Sequence, residues 1–267
     1  MPGKMSDRMF NPVIPDWPDA PPNIGALATT RTGGFSAAPY DDGQGGGGLN
    51  LGLHCGDDAA RVQQNRALLE RVLPGRPAWV AQVHGIAVAN AATVVPGVAV
   101  QVADASVATA PGVVCAVMTA DCLPVLFADL EGKVVGAAHA GWRGLAAGVL
   151  GETVRAMRAA GAGEITAWMG PAIGPAQFEV GGDVLDSFVI GAPEDDVAQV
   201  RAAFQPYPGR EGKFLADMYA LARVFLARDG IVRVSGGSYC TATEVGRFYS
   251  YRRDQVTGRQ ASLIWIK

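Results

Sequence analysis

The chain has 267 residues, 49% of them hydrophobic, and a formal net charge of −3. That is enough apolar material for one large domain or two closely joined ones, and the slight negative charge without a basic stripe argues against nucleic acid as a main partner. No apolar run approaches a membrane span and the N-terminus has no apolar h-region, so the reading is a cytoplasmic protein. In that compartment the four cysteines, Cys55, Cys115, Cys122 and Cys240, are expected to be thiols or ligands rather than disulfides.

In chain order, residues 1–23 are Pro-rich and read as an N-terminal arm, ordered or loose, ahead of a single domain over 24–267. IGALATTR, from Ile24, reads as a strand. From Thr32 to Gly48 glycine dominates, ending in GQGGGG, which reads as a flexible loop. It lacks the Lys and Ser/Thr of a nucleotide P-loop. The run from Asp57 to Leu73 has helical periodicity, an Asp at the N-cap and Pro74 as a stop. AWVAQV (Ala78 to Val83) reads as a strand, and IAVANAATVV beyond it as a strand with a break.

GVVCAVMT, PVLFAD and KVVGAAH are three short β-leaning runs, and EGK between the last two predicts a hairpin. A helix is expected over Leu145 to Ala160, then a strand in ITAWMG. GPAIGPAQFEVG is too rich in Gly and Pro for regular structure and reads as a shaped loop. Helices over Asp183 to Ile190 and Phe214 to Asp229 are expected to flank a polar, solvent-facing stretch. IVRVSGGSYC, RFYSYRR and QASLIWIK read as closing strands. The mixture predicts an α/β or α+β fold, with mixed sheets and helices outside.

The three histidines are His54, His84 and His139. His84 and His139 terminate expected strands, and Cys122 follows another. If those strands share one sheet and run the same way, the three side chains meet at one rim, where sites are usually built. Two imidazoles and a thiolate suit zinc, and three protein ligands leave a fourth position open. Gly85, Gly141 and Gly144 beside them permit close backbone approach. The same residues also read without metal: Cys122 as a nucleophile with His139 or His84 as its base and Asp121 nearby, or as an inert buried thiol among satisfied polar side chains.

QVHG, TADCLPVLF, AAHAGWRGL, GPAIGP with FEVG, and FYSYRRD with TGRQASLIW, together with TTRTGGFS and NLGLHCGDD, resemble the YfiH family. It is also called the laccase-domain, multicopper polyphenol oxidase or peptidoglycan editing factor family. The resemblance covers nearly everything after Ile24. It implies a fold of mixed sheets with helices, related to the cytotoxic necrotizing factor catalytic domain. It implies zinc held by His84, Cys122 and His139, and purine nucleoside phosphorylase activity with adenosine deamination and methylthioadenosine cleavage. The chain departs from many relatives at Ala176, Gln177 and Phe178, where they carry a Cys, and in its long GQGGGG segment.

Phosphorolysis needs an anion site beside the sugar, and Arg binds phosphate bidentately. Arg31, Arg143 and Arg252 are the candidates, ahead of Arg253 and Arg66, with a structural ion pair as the alternative for each. Deamination needs a water activated at the metal and a proton shuttle. The H-x-E and P-C-x-x-C pattern of the zinc nucleobase deaminases is absent. Asp121 is the first choice for the shuttle, with an ordinary turn Asp as the alternative. His54 can act as base or sugar contact, and Asn50 can bond ribose or take a left-handed turn. Tyr249 and Tyr251 alternate with Phe248 and Ser250 along the expected strand, so only one pair can face the pocket; the tyrosines could stack on a purine there, with core packing as the alternative. Three histidines cannot furnish several laccase copper centres, although copper can replace zinc at one N/S site. The partners are then a nucleoside and inorganic phosphate, without nucleic acid or membrane, in a monomer or homodimer. A hydrolase acting on peptidoglycan precursors through Cys122 or zinc, and a copper-dependent polyphenol oxidase, are the alternatives.

Overall fold

The structure is a computed structural model and describes residues 10–94 and 99–267. The first nine residues of the expected arm, and Val95 at the end of IAVANAATVV, lie outside the described residues.

Strands β1 (Ile24–Ala28) and β2 (Thr32–Ser36) precede helix α1 (Ala59–Glu70). Then come β3 (Pro77–Ala78), β4 (Val88–Asn90), β5 (Ala105–Ala108), β6 (Val114–Thr119), β7 (Leu123–Asp129) and β8 (Val135–Ala140). Helices α2 (Trp142–Ala147) and α3 (Val149–Ala159) lead to β9 (Ile165–Met169) and β10 (Glu179–Gly181). Helices α4 (Gly182–Ile190) and α5 (Glu194–Ala202), strands β11 (Phe204–Pro206) and β12 (Lys213–Ala216), and helix α6 (Met218–Arg228) follow. The chain closes with β13 (Val234–Gly236), α7 (Tyr251–Asp254) and β14 (Gln260–Ile266).

A four-stranded sheet has the order β1-β14-β6-β3 and a six-stranded sheet the order β13-β9-β7-β8-β5-β4, with β10-β12-β11 as a small third sheet. The two large sheets stack face to face. Cys115 and Val117 of β6 and Ile264 of β14 meet Leu126, Val135, Ala137 and Trp168 of the other sheet in one buried cluster. The alternate residues point away. Val125, Phe127 and Ala138 meet α3 and α6, while Ala116, Ala261 and Leu263 meet Leu68 and Leu69 of α1. Because side chains alternate faces and both faces are covered, β6, β7 and β8 read as unbroken apolar runs and are buried at every residue. Burying each large side chain there stabilises by about 1.5–3 kcal/mol.

The mixed α/β architecture agrees with the sequence reading, as do α1, whose N-cap Asp58 accepts from Ala60 N, and the β7–β8 hairpin. Local corrections are instructive. Thr32–Ser36 is a strand, bridged to Gly48, inside the stretch expected to be loop. AWVAQV is strand only at its first residue, and the rest continues through one bridge, Ala81 to Val102. The helix expected from Leu145 is two helices, because Gly148 takes a left-handed φ of 99° between them. The stretch expected to be only polar and solvent-facing contains α5 and β11, and Phe214 begins no helix because Lys213–Ala216 pairs with β10 and β11. RFYSYRR is no strand: Ser250 caps α7 by accepting from Arg253 N. Before β1, Val13 bonds to Ala28 and Trp17 is buried, donating to Thr166 Oγ1 across the sheet interface.

Candidate metal centre and pocket

The expected arrangement of parallel strand ends in one sheet does not occur. β6 belongs to the four-stranded sheet and β7 to the six-stranded one, so Ala120–Cys122 crosses between the layers. β8 runs antiparallel to β7, which puts His139 opposite Pro124, two residues past Cys122. His84 arrives on the irregular segment after β3. Gln82 holds that segment to β6 with its side-chain amide, donating to Met118 O at 2.8 Å and accepting from Met118 N at 2.8 Å. A side chain thereby replaces a strand ladder.

The metal-binding atoms of His84, Cys122 and His139 all lie within 4.8 Å of one another. Cys122 Sγ is 3.7 Å from His84 Nε2, close to the ~3.6 Å edge of a tetrahedral zinc site with ordinary Zn–S and Zn–N lengths. The donor types suit one zinc ion with a position left open, the wider donor spacing of up to 4.8 Å having to close on binding. The two imidazoles meet edge to face with centroids 4.8 Å apart. Gly141 has to be glycine: a Cβ there would stand 2.6 Å from His84 Cδ2 and 3.2 Å from Cys122 Sγ. His84 and Asp121 are both left-handed, at φ 62° and 93°. That conformation costs of order 1–3 kcal/mol and persists only where the surroundings impose it.

What imposes it at His84 is Asp104, a fully buried residue immediately before β5 that sequence reasoning missed. Its carboxylate accepts from His139 Nδ1 at 2.8 Å and from the backbone N–H groups of Val83, His84 and Gly85. Burial pushes this carboxyl up, but His139 and the Gly85 and Val83 amides outweigh it and hold it below the usual range. At Cys122 burial likewise opposes the thiolate, yet His139 and His84 pull the thiol down to about 6. His139 is pushed down by burial and raised by Cys122 and Asp104, to about 9. Each of the two thus favours the charged form of the other. Cys115, buried without cations, is pushed up to about 12.

The three donors open onto a pocket of about 730 Å³ that also includes His54, Gln82, Thr119, Tyr251 and Arg259. Tyr251 is 52% exposed and Tyr249 fully buried, its hydroxyl donating to Tyr40 O, so of the two tyrosines only Tyr251 is placed to meet a ligand. Arg259 Nη1 donates to Thr257 O and Gly258 O; its Nε and Nη2 have no partner among the described residues. Burial first, then Arg259 and Arg66, push His54 below its ordinary value, which leaves it neutral at pH 7.

The other expected contacts lie elsewhere. Arg31 is 4% exposed and spends its donors on Asp41 O and Val245 O. Asn50 is buried between Gly52, Asp57 and Arg259 N. Arg143 stacks on Trp142 and does not line the pocket. Arg252 lies over Phe178 and donates to Glu179 O. Arg253 donates to Thr241 O and pairs with Asp254, and Arg66 donates to Leu51 O. Asp121 gives one oxygen to Thr241 Oγ1 and the other to Arg252 N, each at 2.6 Å, and tethers the crossover rather than facing the pocket. Arg259 stands in the TGRQ motif; a signal for Asp104 was a carboxylate heading an apolar strand, which must find partners when buried.

Stacked mixed sheets with a His–Cys–His pocket at their shared rim define an α/β protein with a candidate metal site. The chain belongs to the family described as multi-copper polyphenol oxidoreductase laccase, which it matches over residues 25–267. It is 50% identical to a purine nucleoside phosphorylase of Pseudomonas aeruginosa, covering 96% of this chain and 98% of that one. It is 49% identical to the purine nucleoside phosphorylase YfiH of Escherichia coli, over 95% of this chain and 98% of that one. Among solved structures, a Neisseria meningitidis protein superposes with a TM-score of 0.85 at 46% identity, covering 96% of this chain and 99% of that one. YfiH of Bacillus licheniformis superposes with a TM-score of 0.80 at 30% identity, covering 91% and 93%.

Proposed function

We propose that the chain is a zinc-dependent purine nucleoside phosphorylase, acting on adenosine, inosine and methylthioadenosine, that also deaminates adenosine. The observation that carries this reading is the opening of His84, Cys122 and His139 onto one pocket with Arg259 and His54. The names of the relatives support the substrate class. Residues 24–267 are taken as one catalytic domain, preceded by the arm, in a cytoplasmic protein. Zinc held by His84, Cys122 and His139 supplies a Lewis acid beside the substrate. The same three donors accept copper by substitution, and a single such group among the described residues does not make a multicopper oxidase.

The chain's own residues divide the remaining work. Arg259 keeps Nε and Nη2 for a bidentate grip on phosphate. Tyr251 offers a half-exposed ring on which a purine can stack. Neutral His54 can accept a hydrogen bond from ribose or pass a proton. In phosphorolysis a phosphate oxygen forms the bond to the anomeric carbon while the bond to the purine nitrogen breaks. The electron pair leaves with the base, which takes up a proton, and Arg259 holds the anion in place. In deamination water replaces the exocyclic amine, which leaves as ammonia.

The deciding experiment incubates metal-analysed wild type and Cys122→Ala with adenosine, with and without phosphate, and identifies products by mass. Phosphate-dependent adenine and ribose 1-phosphate, from the zinc-loaded wild type alone, are expected. Inosine formed without phosphate reports deamination. Stoichiometric zinc with untouched adenosine would overturn the nucleoside assignment.

One observation favours a second reading. Cys122, His139 and Asp104 follow one another as thiolate, imidazole and carboxylate, the order of a cysteine hydrolase. In that reading the substrate is a peptidoglycan precursor. Selective alkylation of Cys122 in protein isolated without metal, with retained hydrolysis after chelation, distinguishes it from the zinc enzyme.

A further inference from the structure

We propose that Asp104 is the positioning residue of the His84–Cys122–His139 centre. One buried carboxylate sets both the tautomer of His139 and the backbone turn that carries His84. The proposal rests on the zinc reading above. Asp104 Oδ1 accepts from His139 Nδ1 and from His84 N, each at 2.8 Å. Oδ2 accepts from Val83 N at 3.1 Å and Gly85 N at 2.7 Å. The Asp104 carbonyl takes His139 N at 2.7 Å. Four donors therefore surround a side chain with no solvent exposure.

Two consequences follow from this geometry. A carboxylate only accepts, so with zinc bound the one proton of His139 sits on Nδ1 and the Nε2 lone pair is left for the metal. Three successive N–H groups converge on one anion where the chain turns through a left-handed residue, which is the nest arrangement. His84, at φ 62°, is that residue. The anion in the nest is part of the protein, and it holds the imidazole of His84 3.7 Å from Cys122 Sγ. Asparagine has the same shape but would turn N–H donors toward Val83 N and Gly85 N, or toward His84 N and His139.

The test measures zinc affinity by competition with a chromophoric chelator, in wild type, Asp104→Asn and Asp129→Asn. Asp129 is the control: it is equally buried and accepts Lys133 N and Val134 N at the opposite end of β7. The expected result is a zinc Kd raised ~10–100-fold in Asp104→Asn, the usual effect of losing such a partner, and unchanged in Asp129→Asn. If Asp104→Asn does not fold, the long-range proton–nitrogen spectrum of the zinc-loaded wild type decides, with only three histidines to assign. His139 protonated at Nδ1 is expected, and protonation at Nε2 overturns the proposal. Asp104→Asn binding zinc as tightly as wild type overturns it while the zinc reading stands. A wild type that binds no zinc overturns both.

Discussion

Two polar clusters built from motif residues differ in one respect, and the difference separates scaffold from site. Around Arg31, the charged and amide groups close on one another. Arg31 lies 5.0 Å over the Tyr249 ring and donates to Asp41 O and Val245 O, and Asn65 bonds Ser36, Gly48 and Asn50. Each side-chain nitrogen of Arg31 and Asn65 has a protein partner there. Around Cys122, the ring of support is equally complete behind the histidines, through Asp104 and Gln82, but the donor atoms in front face a pocket. What sets the candidate site apart is that its donor atoms face a pocket.

The comparison is broken or sharpened by variants on each side. The largest effect is expected for Cys122→Ala. Loss of a ligand and its Lewis-acid contribution of several kcal/mol should lower phosphorolysis by ~10³-fold or more. Metal analysis should show zinc gone, and a fully active, metal-free variant would remove the centre from the mechanism. Next comes Arg31→Ala, expected to cost about 2–4 kcal/mol by leaving buried carbonyls without their cation. Urea unfolding measures it, while kcat per folded molecule stays at the wild-type value. A lost phosphate response with unchanged stability would move Arg31 back into the site.

Arg259→Ala removes a charged grip worth roughly 1.5–3 kcal/mol and should raise the phosphate KM ~10–100-fold without changing zinc content. In metal-free protein, a Cys122 thiol brought down to about 6 is ionised above that pH. Its alkylation rate should therefore rise through pH 6 and level off by pH 8, with Cys115, pushed up to about 12, silent throughout. A rise only above pH 8 would show that the histidines do not act on it. The smallest effect is expected for Tyr251→Ala, a loss of ring stacking of about 0.5–1.5 kcal/mol that raises the nucleoside KM ~2–10-fold. A change in phosphate KM instead would reassign that wall of the pocket.

Local chemistry made some elements legible. α1 carries its own cap at Asp58 and its own stop at Pro74, and the EGK turn forces β7 and β8 into a hairpin. Elements whose pairing partners are distant were not legible. Lys213–Ala216 looks helical alone and becomes β12 because β10 and β11 flank it. Gly148 divides α2 from α3, although a single glycine in a helical run is usually tolerated. At the site, residue type pointed to His84, Cys122 and His139, which the structure brings together. The same reasoning favoured Arg31 and Tyr249, which it buries.

The sequence by itself determined the buried strands, because β6, β7 and β8 are apolar along both faces and can sit only in a sheet covered on both sides. It also determined the donor chemistry, because His and Cys are few. Tertiary structure alone decided which polar residues are answered and which are free. Asp104 and His84 are twenty residues apart, and only the stacking of two sheets brings them, Cys122 and His139 to one rim. A hydrogen bond depends on three-dimensional distance and direction, to which residue type and spacing along the chain are blind.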